Sequence, residues 1–149
     1  MGVRGILGGM REIALLCAAL LVVPAALAAE EPKVQQMSPA EAAAQMKAGK
    51  AIVVDVRERS ELEAGMAAGA RWYPTSSIQS DPEGYRRFLG SLPQDQTVVF
   101  YCASGVRSGK AAEIASKEAG RKAANLGGFK DWKAAGLPVT APAKTLQPG

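Results

Sequence analysis

The segment TVVFYCASGVR, residues 97–107, decides the fold. Its first five residues are β-branched or aromatic, which predicts a buried β-strand. This strand runs directly into a short loop, and a helix rich in Ala and Lys follows over residues 108–119. A strand that passes through a short loop into a helix is the repeating unit of α/β proteins.

Strands and helices alternate outward from this segment in both directions. Further predicted strands cover residues 51–56, 70–73 and 123–126. Two further predicted helices cover residues 39–47 and 58–64, a third begins at Asp81, and a short last helix contains Phe129 and Trp132. We therefore predict the α/β fold class, with a mostly parallel central sheet of about five strands and helices on both faces.

The composition excludes several kinds of functional site. The chain has 149 residues, a formal net charge of +4 and no histidine. A Ser-His-Asp triad, a Cys-His dyad and zinc sites built on histidine are therefore excluded. Its two cysteines, Cys17 and Cys102, are too few for a four-thiolate metal site. No basic cluster with interleaved aromatic residues is present, so we expect no nucleic-acid partner, no metal and no cofactor.

The N-terminal segment has the pattern of a secretory signal peptide. Arg4 and Arg11 precede an apolar stretch over residues 13–27, and Ala26-Leu27-Ala28 is a small-x-small cleavage pattern. We predict a cleaved signal peptide at residues 1–28 and an exported, periplasmic protein without a stable membrane anchor.

Two other uses of this segment compete with a signal peptide. A spanning helix needs about 20 apolar residues, and Pro24 beside the cleavage pattern makes an uncleaved anchor the weaker interpretation. A lipoprotein needs a small residue before its cysteine, whereas Leu16 precedes Cys17. After the signal peptide we predict a linker at residues 29–37, one domain at 38–140 and a flexible tail at 141–149.

Cys102 is the candidate nucleophile, because it stands at the carboxyl end of the best strand and ahead of a helix. Backbone N–H groups and the positive end of that helix would favour the thiolate. Gly105 lets the loop curl so that its amides point inward, and Arg107 adds a positive charge at the rim. From these residues alone, Cys102 is equally a small buried side chain that ends a core strand.

Four segments resemble motifs of the rhodanese (thiosulfate:cyanide sulfurtransferase) family. They are YCASGVRSGKAA at residues 101–112, VVDVRE at 53–58, the glycine-containing EAGMAAGA at 63–70, and LGGF at 126–129 with Trp132 and GLPV at 136–139. They occur in the family's order across almost the whole predicted domain. The resemblance implies a single rhodanese-like domain of the small exported type.

The resemblance also implies residue roles. Cys102 matches the thiolate that takes the outer sulfur of an anionic donor such as thiosulfate and passes it, as a persulfide, to cyanide, a thiol or an acceptor protein. The active-site loop is Ala103, Ser104, Gly105, Val106 and Arg107, in which the amides would stabilise the persulfide and Arg107 would position the donor.

The supporting residues each have two interpretations. Asp55 and Arg57 contact the substrate or, as we expect, brace the loop as an ion pair. Ser108 donates a hydrogen bond to the thiolate or, as we expect, caps the helix. Met66 stands where the family usually has histidine, and we interpret this change as one of packing or rim shape that affects substrate preference.

Two alternative functions follow from the same loop. In the first alternative, the chain is a partner-dependent persulfide carrier or a redox-responsive thiol protein, without activity on free thiosulfate. A cysteine phosphatase is the other alternative, but such enzymes place one more residue between cysteine and arginine than the four found here. The shorter loop suits a single sulfur atom better than a tetrahedral phosphate.

Overall fold

The structure is a computed structural model that describes residues 33–149. The predicted signal peptide at residues 1–28 lies outside the described residues, as does the first part of the predicted linker. Within residues 33–149, no helix is long and apolar enough to cross a membrane.

The described chain alternates strands and helices. The strands are β1 (Gln35–Gln36), β2 (Ala51–Asp55), β3 (Met66–Ala67), β4 (Arg71–Trp72), β5 (Thr97–Cys102), β6 (Ala123–Gly128) and β7 (Val139–Thr140). The helices are α1 (Pro39–Lys47), a 3₁₀ helix (Arg59–Ala64), α2 (Thr75–Ser80), α3 (Pro82–Ser91), α4 (Val106–Ala119) and α5 (Phe129–Ala134). The central sheet has the parallel order β1-β6-β5-β2-β4, and β3 pairs with β7 in a separate antiparallel ribbon. The predicted α/β fold with a five-stranded sheet is confirmed.

Helices cover both faces of the sheet, as predicted, and each face carries its own core. On one face, α2, α3 and α4 cover Val98, Phe100 and Cys102 of β5. On the other face, α1 and α5 cover Val99 and Tyr101 of the same strand. Because successive side chains of a strand point to opposite faces, β5 contributes to both cores. The strand that carries Cys102 is therefore the centre of the domain.

Helix boundaries differ from the prediction at three places. The 3₁₀ helix replaces the predicted α-helix at residues 58–64, although it ends at Gly65 as predicted. Helix α4 begins at Val106, two residues before the predicted start, because Gly105 takes a left-handed conformation with φ of 98° and turns the chain into the helix. Helix α2 was not predicted, since only Ile78 of its six residues is apolar and buried.

Both ends of the described chain are attached to the domain. Part of the predicted linker forms β1, which pairs with β6. Residues 141–149, for which the sequence predicts a flexible tail, contact the 3₁₀ helix. The Arg59 guanidinium donates to the carbonyl oxygens of Ala143 (3.3 Å) and Lys144 (3.0 Å), and Leu146 packs against the cluster that contains Leu62 and Trp72.

The three tyrosines of the chain are buried and two of them are tied to the backbone. The Tyr85 hydroxyl donates to the Ala111 carbonyl at 3.0 Å, and the Tyr101 hydroxyl accepts the N–H of Ala67 at 3.0 Å. Burial raises the pKa of Tyr73, Tyr85 and Tyr101 above the ordinary value for a phenol.

Candidate active site

The sulfur atom of Cys102 lies under a loop of backbone amides. Cys102 is the last residue of β5 and is fully buried. The N–H of Gly105 donates to its Sγ at 3.0 Å, and the loop then enters the first turn of α4. The predicted arrangement of a cysteine at a strand end, with loop amides directed at the sulfur, is present.

Close backbone packing gives the loop its shape. A Cβ atom added to Gly105 would lie 3.2 Å from Cα of Gly127, in addition to the strain of a positive φ. A Cβ atom added to Gly128 would overlap the carbonyl oxygen of Ala103. The Gly127-Gly128 pair at the end of β6 therefore lets the active-site loop lie directly against the neighbouring strand.

The surroundings of Cys102 favour the thiolate. Burial opposes ionisation, but hydrogen bonds from the Ser108 hydroxyl and from the amides of Ser108, Ser104 and Gly105 outweigh it and lower the pKa of the thiol. A thiolate is the nucleophilic form of cysteine, so Cys102 is chemically prepared to attack an electrophilic sulfur without a histidine base.

Ser108 does not cap the helix, contrary to our expectation. Because α4 begins at Val106, Ser108 lies inside the first turn and is buried. Its Oγ lies 3.4 Å from Sγ of Cys102 and 2.8 Å from Oδ1 of Asn125. The other interpretation, in which the hydroxyl faces the thiolate, is the one that the geometry supports.

Asn125 is a site residue that the sequence analysis missed. Its Nδ2 donates to the Gly105 carbonyl at 2.9 Å, and its Oδ1 accepts the N–H of Gly127 at 3.0 Å. The same Oδ1 lies 2.8 Å from Oγ of Ser108, whose single proton is donated either to this oxygen or to the Cys102 sulfur. These partners determine which way the amide points. The available signal was a lone polar side chain within a strand whose other residues are Ala, Leu and Gly.

Ser108→Ala is expected to move the pH dependence of Cys102 alkylation to higher pH by about one unit, because a hydrogen bond to a charged group contributes about 1.5 kcal/mol or more. The measurement is the rate of iodoacetamide reaction between pH 5 and pH 10. Ser91→Ala is the control, since the Ser91 hydroxyl donates to the Phe88 carbonyl. An unchanged midpoint would mean that the loop amides alone hold the thiolate.

Arg107 is held by a carboxylate that the sequence analysis did not identify. Its two terminal nitrogens each donate to one oxygen of Glu61 at 2.7 Å. Both side chains are about one-third exposed, at 31% and 32%. This hydrogen-bonded ion pair lowers the pKa of Glu61 to about 2, so the bridge is intact at neutral pH.

Asp55 and Arg57 form the predicted ion pair, and its contacts outside the pair brace the end of the 3₁₀ helix. The Asp55 carboxylate is fully buried and accepts from Nε and Nη2 of Arg57 and from the hydroxyl of Tyr101. Arg57 also donates to the Gly65 carbonyl at 2.7 Å, and its guanidinium carbon lies 4.0 Å from the centre of the Phe129 ring. The pair thereby joins β2, β5 and the end of the 3₁₀ helix.

Met66 packs in a buried cluster with Leu62 and Trp72, in agreement with a packing change.

Two cavities lie beside the loop. One, of about 500 Å³, is lined by Arg57, Ser60, Glu61, Glu63, Ala64, Ala103, Phe129, Lys130 and Lys133; we call it the Ala103 cavity. The other, of about 220 Å³, is lined by Thr75, Ile78, Gln79, Val106, Arg107, Lys110, Ala111 and Ile114; we call it the Val106 groove. In the described part of the chain, no group of three or more His, Cys, Asp or Glu side chains could hold a metal ion.

Comparison with known proteins gives a consistent family assignment. The protein-family model of the rhodanese-like domain matches residues 38–135 of this chain. A sulfurtransferase of Allochromatium vinosum is 33% identical over 92 residues, which are 61% of this chain and 79% of that protein. An uncharacterized protein of Bacillus subtilis is 39% identical over 84 residues, 56% of this chain and 61% of that protein. The chain thus spans less than two thirds of that relative.

Solved structures agree with the fold. The crystal structure of a rhodanese-related protein from Thermoplasma volcanium is similar to this chain with a TM-score of 0.59 and 27% identity. The similarity covers 72% of this chain and 99% of that one.

Proposed function

This chain belongs to the rhodanese-like domain family, and we propose that it is a sulfurtransferase that moves a sulfane sulfur from thiosulfate, or a similar anionic donor, to cyanide or a thiol. The observation that carries this proposal is the Cys102 sulfur, held by the Gly105 amide at 3.0 Å under a loop that favours the thiolate. The sulfurtransferase among its relatives supports the reaction class.

In the first step, the Cys102 thiolate attacks the outer sulfur of thiosulfate. A bond forms between Sγ and that sulfur, the sulfur–sulfur bond of thiosulfate breaks, and its electron pair leaves with sulfite. The product is a Cys102 persulfide anion, whose charge the amides around Gly105 are placed to stabilise. Arg107 would position the departing sulfite, because a guanidinium suits two-oxygen recognition.

In the second step, an acceptor removes the terminal sulfur. With cyanide, a carbon–sulfur bond forms and the sulfur–sulfur bond of the persulfide breaks, which yields thiocyanate and restores the Cys102 thiolate. Ser108 lies 3.4 Å from Sγ and would donate its hydrogen bond to the thiolate that leaves. No proton transfer to a histidine is required in either step.

A persulfide carrier that serves a partner protein is the second candidate. The observation in its favour is Val106, a residue that is 66% exposed in the active-site loop and lines the Val106 groove. An exposed apolar side chain beside the reactive sulfur suits contact with a protein acceptor. Such a carrier would accept sulfur from a partner while reacting poorly with free thiosulfate.

The intact mass of the purified protein separates these candidates. Treatment with thiosulfate is expected to add one sulfur atom, about 32 Da, at Cys102, and cyanide is expected to remove it. A thiol that titrates normally but gains no sulfur from thiosulfate would contradict the proposed donor and favour the partner-dependent carrier.

Export to the periplasm is part of this proposal and is supported by the sequence pattern at residues 1–28 alone. If the signal peptide is cleaved after Ala28, the intact mass of protein secreted from its natural host corresponds to a chain that begins at Ala29. A mass that includes residues 1–28 would contradict cleavage.

A further inference from the structure

The guanidinium proposed to receive the donor is already occupied. Nη1 and Nη2 of Arg107 both point at the Glu61 carboxylate, each at 2.7 Å from one oxygen. A bidentate carboxylate uses the same pair of parallel N–H groups that two oxygens of a sulfur oxyanion would use. An anionic donor and Glu61 therefore compete for one binding group.

Glu61 is held at this place from a second side. Its Oε2 also accepts the N–H of Glu58 at 2.8 Å, a bond that caps the 3₁₀ helix. The carboxylate is thus fixed before any ligand arrives, and its low pKa keeps it charged. A ligand that takes these two N–H groups of Arg107 has to replace both hydrogen bonds.

The ion pair lies beside the active-site loop. Glu61 lines the Ala103 cavity, and Arg107 lines the Val106 groove, so the ion pair stands at the border between the two cavities beside the loop. Lys130 and Lys133 also line the Ala103 cavity. Neither lysine forms an ion pair among the described residues, and Lys133 lies 5.1 Å from the centre of the Phe129 ring. The Ala103 cavity therefore presents these cations together with the Glu61 carboxylate to an anion.

We propose that Glu61 is a specificity-determining residue, which competes with anionic sulfur donors for Arg107 and so lowers the preference of the site for anions over uncharged molecules of the same size. This inference rests on the proposed function, in which Arg107 receives the donor. It gives the Arg107–Glu61 pair a role besides attachment of the 3₁₀ helix to α4.

Alkylation of Cys102 by iodoacetate and by iodoacetamide tests the proposal. Both reagents form a carbon–sulfur bond with the thiolate and release iodide. They differ in charge, because iodoacetate carries a carboxylate and iodoacetamide carries a neutral amide. The ratio of the iodoacetate rate to the iodoacetamide rate, measured on the Cys102 peptide by mass spectrometry, reports how strongly the site prefers an anion.

Glu61→Gln is expected to raise this ratio about three- to fivefold, the upper part of the range for one partly exposed ion pair. The glutamine amide oxygen still accepts the N–H of Glu58, so the helix cap is retained. Glu63→Gln is the matched control, since Glu63 lines the same cavity and has no contact with Arg107 among the described residues. Its ratio is expected to change less than about twofold.

An unchanged or lower ratio in Glu61→Gln would overturn the proposal, and so would equal increases in both variants, which would indicate cavity charge alone. The same substitution is expected to lower the KM for thiosulfate while kcat changes little. If thiosulfate adds no sulfur to Cys102 in any variant, the proposed donor fails, whereas the alkylation ratio still decides the role of Glu61.

Discussion

Cys102→Ser is expected to reduce sulfur transfer by at least about a thousandfold, the scale on which loss of a nucleophile acts. A serine hydroxyl is not ionised at neutral pH and forms no persulfide, so both proposed steps are lost. The measurement is thiocyanate production from thiosulfate and cyanide, with the persulfide followed by intact mass.

The fold should survive this change. A serine oxygen can still accept the Gly105 N–H that now reaches Sγ, and the side chain becomes only slightly smaller. We expect the midpoint of thermal unfolding to shift by a few degrees at most. Cys17→Ser in the unprocessed chain is the control for the second thiol, which cleavage after Ala28 would remove, and it should leave activity unchanged. Activity that persists in Cys102→Ser would place the sulfur on another group.

Asp55→Ala is expected to lower the free energy of unfolding by about 3–5 kcal/mol, because it leaves the guanidinium of Arg57 in the interior without its carboxylate. Asp55 is fully buried, and its carboxylate receives hydrogen bonds from Arg57 and Tyr101. Urea unfolding followed by fluorescence gives the change from the midpoint and slope.

The matched control removes a carboxylate from an exposed ion pair. Glu113→Ala breaks a bridge to Lys117 whose side chains are 51% and 54% exposed, and its cost should not exceed about 1 kcal/mol. A similar, small loss in both variants would show that the Asp55–Arg57 pair is no more important for stability than a surface contact.

The fold could be predicted because its signals are local. The strand at Thr97–Cys102, the cysteine at its end and Gly105 after it occur within a few residues, and they were sufficient to predict that Cys102 lies at a strand end against the loop amides. The brace between Asp55 and Arg57 was also accessible, since the two residues are separated by one position.

The residues that were missed depend on contacts between distant segments. Glu61 and Arg107 are 46 positions apart, and Ser108 and Asn125 are 17 apart. The pairing of β5 with β6 is also irregular directly after Asn125, so that Gly127 rather than Leu126 faces Tyr101. The role of Ser108 was misassigned for a local reason: a helix that starts two residues earlier carries this side chain from the cap into the core.

The buried tyrosines set an upper pH limit on the folded protein. In an unfolded chain, phenol groups lose their protons above about pH 10, while in the folded chain burial raises the pKa of Tyr73, Tyr85 and Tyr101. Stability from this difference is present below the unfolded pKa and is lost progressively as the pH rises above it. Strong alkali therefore acts on the aromatic core, which includes the strand that carries Cys102.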